Sequence, residues 1–305
     1  MISFRYHVVS LCAVVLALAL GVVLGASSLS QTMLGALSTD RADLSGQVGT
    51  LTAERDTARA QQAAADRVLA GAAPAVVGGA LADRTVVLLA APGADPADLE
   101  AVTGLVGQAG GRVTGTLGLT DAALAPDRAD ALRGLVTRVL PAGVQLPSTT
   151  DAGTLTGALL GSLVTAGRGP SSSPAEIGTA FTALADGGFL APGVAPVPAQ
   201  LAVVVGGDPA PGPDASGRAT ALAHLAGGVR AGGAGTVLAT RSADGAVATA
   251  RTDPAVRDVS TVDGIGATAG RLATVLAAAE QAGGGAGAYG SAPGLSALPP
   301  RTPAA

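Results

Sequence analysis

The chain has 305 residues, 18 basic and 22 acidic, for a formal net charge of -4; 48% of it is hydrophobic and only 2% aromatic. Every basic residue is Arg, and neither Lys nor Asn occurs, which excludes a Schiff-base lysine, a P-loop lysine and an N-glycosylation acceptor. Scattered Arg on an acidic chain gives no basic stripe for nucleic acid, and the single cysteine, Cys12, excludes an intrachain disulfide.

The chain opens MISFRYHVVSLCAVVLALALGVVLG, with no charged residue from Val8 to Leu24. A helix of about 20 apolar residues matches the roughly 30 Å hydrocarbon core of a bilayer. Residues 1–26 therefore read as a transmembrane anchor, with Val8, Leu11, Cys12, Val15, Leu18 and Val22 among its spanning positions. Phe4 and Tyr6 beside Arg5 and His7 suit the headgroup edge and keep the start cytoplasmic, so the remainder is exported. A cleaved secretory signal is the competing reading; the apolar run exceeds the roughly 7 to 15 residues of a signal core. The mean hydropathy of +0.48 is inflated by Ala, and no later stretch is long enough to span. With three Phe and two Tyr, a self-contained transmembrane β-barrel lacks its aromatic girdles, so any pore requires oligomers.

Residues 27–72 read as a coiled-coil stalk. Leu34, Leu37, Arg41, Leu44, Val48, Leu51, Arg55, Ala58, Gln62, Ala65 and Leu69 alternate steps of three and four, a heptad seam. Leu34, Leu37, Leu44, Val48, Leu51 and Leu69 are its apolar contacts, and a homo-oligomer through the stalk is the implied partner. Gly71 and Pro74 are expected to end this helix.

From 73 to 283 strand and helix signals alternate. TVVLLAA at Thr85 to Ala91 is a continuous apolar strand of the kind buried on both faces. A helix over Pro96 to Gln108, capped by Asp95, and a strand over Arg112 to Gly118 complete a βαβ unit. Helices follow over Asp127 to Leu140, Asp151 to Thr165 and Pro174 to Ala185, then a strand LAVVV at Leu201 to Val205. A helix over Ala215 to Ala231 and strands over Thr236 to Thr240 and Asp258 to Val262 come next; Asp263 would cap a last helix to Ala282. The fold class is α/β: a transmembrane helix continuing into a coiled-coil stalk, then a Rossmann-like parallel-sheet domain. Residues 284–305, rich in Gly, Pro and Ala, read as a disordered tail.

Chemistry-bearing residues are few. The loop Gly206, Gly207, Asp208 follows a strand, where open α/β sheets bind ligands, although GxGxxG is absent. His224 is the only exported His, so a hydrolase would have to draw its acids and base from Asp208, Asp263 and His224. No GxSxG elbow supplies a nucleophile, and Met33 with His224 cannot build a tight copper site. Neither a catalytic residue nor a resident cofactor is expected.

The opening block, the stalk behind it, TVVLLAAPGA and the late VSTVDGIGATAGRLATVLAAAEQ with Tyr289-Gly290 resemble the actinobacterial MctB family, copper transport proteins of the mycobacterial outer envelope. The resemblance implies a channel-forming or accessory protein that limits intracellular copper by efflux, copper being transported and not tightly held. It also implies an alternative, a relay in actinobacterial cell separation that acts on cell-wall hydrolases through envelope protein partners. A helical anchor suits the inner membrane, whereas the resemblance points to the outer one.

Overall fold

A computed structural model of the chain describes residues 4–166, 172–207 and 212–300 and, before residue 43, the side chains of 6–24 and 41. The chain divides into two units, Met1–Ala65 and Asp66–Ala305. Helix α1, Phe4–Val77, begins in the first and ends in the second.

Helix α1 passes through Gly71 and Pro74, contrary to the sequence expectation that these residues end it. A mid-helix Pro costs about 3 kcal/mol, and tertiary packing outweighs that cost. Ala73 and Val77 are at most 2% exposed, and Leu69 and Val76 pack against the same core. Asp66 supplies a polar tie, its carboxylate accepting the Thr268 N–H at 3.0 Å.

The second unit is a six-stranded, wholly parallel sheet. Its strands are β1 Thr85–Ala90, β2 Arg112–Gly118, β3 Leu201–Val205, β4 Gly235–Thr240, β5 Ser260–Asp263 and β6 Ala288–Tyr289. Their spatial order is β2-β1-β3-β4-β5-β6, which puts a topological switch point between β1 and β3. Helices α2 (Pro96–Gln108) and α9 (Thr268–Ala282), with the end of α1, cover one face. The other carries α3 (Asp121–Leu124), α4 (Ala129–Arg138), α5 (Ala152–Val164), α6 (Pro174–Asp186), α7 (Ala215–Ala231) and α8 (Ala246–Thr252).

The apolar runs have no polar face because the sheet has none: Val86 and Leu88 enter one core, Val87 and Leu89 the other. Likewise Val203 and Val205 oppose Ala202 and Val204. Helix α5 is apolar for a different reason. Its Gly153, Gly157 and Gly161 let α7 approach so closely that a Cβ on Gly157 would sit 2.1 Å from the Leu225 carbonyl oxygen.

Two expectations are corrected at the carboxyl end. Asp263 does not cap the last helix: it closes β5, buried, and α9 starts only at Thr268, with Asp66 accepting that residue's N–H. The tail of 284–305 is ordered in its described part, since Ala288–Tyr289 adds a parallel edge strand to β5. The buried Tyr289 ring anchors it, and its hydroxyl donates to Glu280 at 2.7 Å. Composition signalled disorder; one aromatic side chain with a core to enter overrode it.

Candidate functional site

The N-terminal apolar helix is the first candidate element. Tyr6–Leu24 is a 19-residue span of mean hydropathy 2.7, the one helix among the described residues long and apolar enough to cross a bilayer. Leu11, Val15, Leu18 and Val22 are each more than 60% exposed, Val8 is 46% exposed, and Cys12 is a free, exposed thiol. Surface of that kind is costly in water and favourable in lipid.

The positions expected to form a stalk seam separate into groups. Leu44, Val48 and Leu51 are exposed in the first unit, while Leu69 belongs to the second and packs on the sheet core. The side chains of Leu34 and Leu37 lie outside the described residues.

In the α/β unit the loops after β1, β3 and β4 surround a cavity of about 230 Å³ at the switch point. Gly207 lines this cavity, Gly206 does not and donates its N–H to the Ala239 carbonyl at 2.8 Å, and Asp208 lies outside the described residues. Gly207 lies against the loop after β1, where any Cβ would fall 2.3 Å from the Gly93 carbonyl carbon. Gly93 itself has φ +75 and forms the turn after β1. Leu124 and Leu222 give the cavity apolar surface; Arg218, Asp121 and Asp244 give it charge. Ligands of open α/β sheets bind at this position. Sequence reading located Gly206 and Gly207 but missed Arg218, which nothing in the local pattern of α7 sets apart.

His224 stands apart from this cavity's lining. Its Nε2 lies 2.8 Å from Asp253 Oδ2, and its Nδ1 lies 3.1 Å from Asp151 Oδ1, an ion-pair distance with poor hydrogen-bond alignment. Burial alone would lower the imidazole's pKa, but the two carboxylates outweigh it and raise the value above 6.5. Asp151 is itself pulled below its ordinary 3.8: burial opposes, and the Thr154 N–H and hydroxyl with His224 prevail. Asp253 is lowered by the Ala255 N–H first and His224 second. Both carboxylates are also caps, Asp151 of α5 and Asp253 of the 3-10 turn Pro254–Val256.

Asp263 has other partners. Its carboxylate meets Arg251 at 2.9 Å and accepts from the Ser291 N–H and hydroxyl at 2.7 and 2.8 Å. Burial would raise its pKa; those bonds and the Arg251 charge lower it instead. His224 and Asp263 thus serve separate clusters and do not assemble the hydrolase triad considered from sequence. A further buried carboxylate, Asp98, receives Arg241 Nε at 2.7 Å and Arg271 Nη2 at 2.8 Å, tying α2, the loop after β4 and α9 together. Among the described residues no three of His, Cys, Asp and Glu are grouped to hold a metal ion.

These features define a class: an α/β protein with a parallel sheet and one N-terminal apolar helix, consistent with a membrane-anchored envelope protein. The chain matches the family described as copper transport outer membrane protein, MctB, over residues 1–300. It is 38% identical over 307 residues to the copper transporter MctB of Mycobacterium tuberculosis, covering 96% of this chain and 98% of that protein. To the copper transporter MctB of Mycobacterium leprae it is 36% identical over 321 residues, covering 98% and 99%. The chain belongs to the MctB family.

Proposed function

We propose that this protein limits intracellular copper as a single-pass envelope protein, by efflux through an oligomeric channel or as an accessory to one. The observation that carries the reading is a family relation spanning both anchor and α/β unit, to relatives named copper transporters. Copper is then cargo, because the exported soft and imidazole ligands are few and His224 is engaged by two carboxylates.

The N-terminus stays cytoplasmic and the α/β unit is exported, with final residence in the inner or outer membrane. Copies associate through the stalk in parallel, which the exposed Leu44, Val48 and Leu51 support. Charge supports the same register: Glu54 and Arg59, five residues apart on positions flanking the seam, would meet across a parallel pair.

A deletion strain tests this. It is expected to be copper-sensitive and to be rescued by the full chain; normal copper tolerance, with no conductance from purified protein in bilayers, overturns the reading. The exposed stalk stripe also favours a second reading, a relay to cell-wall hydrolases in cell separation. That reading expects chained cells from the same strain, and from one carrying polar residues at Leu44, Val48 and Leu51.

A further inference from the structure

The switch-point cavity is lined by charges of both signs that make no ion pair with one another. Several arginines of the second unit take carboxylate partners, Arg133 with Asp130, Arg241 with Asp95 and Asp98, Arg251 with Asp263 and Arg271 with Asp98. Arg218, Asp121 and Asp244 line one cavity of about 230 Å³, and among the described residues none of the three makes an ion pair. Arg218 also lies in the opening turn of α7, where a cation opposes the helix dipole. Arg218, half-buried and placed against its own helix dipole, stabilises neither helix nor core. Asp121 opens α3 and Asp244 accepts from the Ser242 hydroxyl, and both present an exposed charge to the same cavity with no cation among the described residues paired to it.

The remaining lining decides what could satisfy those charges. Leu124 and Leu222 offer apolar surface, and at Gly207 and Gly93 the backbone comes close with no side chain to fill the space. The volume is below the roughly 300–1,000 Å³ of ordinary drug-sized sites, which suits a small ligand.

We propose that this cavity binds a small zwitterion of the amino-acid or dipeptide class. Its carboxylate meets the Arg218 guanidinium, its ammonium meets Asp121 and Asp244, and its carbon skeleton lies on Leu124 and Leu222. Two opposite charges on one short molecule engage both signs of the lining, whereas a simple anion engages only Arg218 and a simple amine only the two acids.

The test is thermal unfolding of the full chain in detergent with leucine, D-alanine and dialanine, each compared with its methyl ester and its N-acetyl form. At least one zwitterion is expected to raise Tm in a dose-dependent way, with at least tenfold weaker binding for its ester and its acetyl form. Arg218→Gln should weaken that zwitterion at least tenfold and Asp244→Asn severalfold. Ala219→Met, which narrows the cavity without touching a charge, keeps the test valid if a charge variant unfolds. No rise with any of the three zwitterions, equal binding of ester or acetyl forms, or full retention in Arg218→Gln and Ala219→Met overturns the proposal. Copper tolerance of the deletion strain is read separately, so either idea can fail alone.

Discussion

Two stretches of helix α1 carry the same residue types to opposite ends. Leu44, Val48 and Leu51 are each at least 60% exposed, whereas Ala73 and Val77 are at most 2% exposed and Leu69 packs beside them. Helix propensity does not distinguish the stretches. The difference lies in whether the chain itself offers a complementary surface, as the sheet face of Val86, Leu88 and Val203 does for Val77. An apolar stripe met by its own chain is a core, and one left unmet stays exposed.

The largest effects should fall where the stripe is met. Val77→Asp places an unpaired charge in a fully buried position and should cost more than about 4 kcal/mol, read as loss of cooperative unfolding in detergent. Gly157→Val should be comparably damaging, because its Cβ would overlap the Leu225 carbonyl. Gly134→Ala, on α4 with nothing within 4 Å of a new Cβ, should instead stabilise by up to about 1 kcal/mol. Equal loss in the two glycine variants would refute the close-packed account of α5 and α7.

Smaller effects are expected at His224, where charge and not volume joins the elements. His224→Gln should cost about 1–2 kcal/mol near pH 6 and progressively less as pH rises through the raised imidazole value. The sign follows from linkage. The raised imidazole contributes fully below its ordinary 6.5 and loses its contribution as pH rises through the raised value. Asp151 and Asp253, lowered from 3.8, contribute above that value and lose it as pH falls through their depressed values. The clamp is therefore strongest between about 4 and 6.5, and a His224→Gln cost that does not fall as pH rises above that range would refute it.

The smallest change in stability belongs to the unmet stripe. Leu44→Ser, Val48→Ser and Leu51→Ser together should shift the unfolding of the α/β unit by less than about 0.5 kcal/mol, while lowering the oligomer mass seen by light scattering. An unchanged mass would remove the stalk as the association surface.

Much of this architecture was legible locally. The runs TVVLLA and LAVVV announced strands buried on both faces; Asp95 occupies its predicted cap position, and Asp151, read as the first helical residue, caps the helix one residue before it begins. The illegible parts are those in which a local signal met a distant partner: α1 continuing past Pro74, Tyr289 pulling a tail residue into the sheet, Asp263 taking Arg251 in place of a helix end. Of the candidate site, the glycine loop after β3 was visible and Arg218 was not.

Sequence alone determined the apolar span at Tyr6–Leu24, the strand and helix periods and the scarcity of metal ligands, because each depends on neighbouring residues or on composition. Tertiary structure alone decided the order β2-β1-β3-β4-β5-β6, the cavity where that order reverses and the partners of His224. Asp151 and Asp253 lie 73 and 29 residues from His224. No local periodicity encodes a pairing across that separation; it arises when packing brings the carboxylates within hydrogen-bond reach, and burial then makes their charges matter.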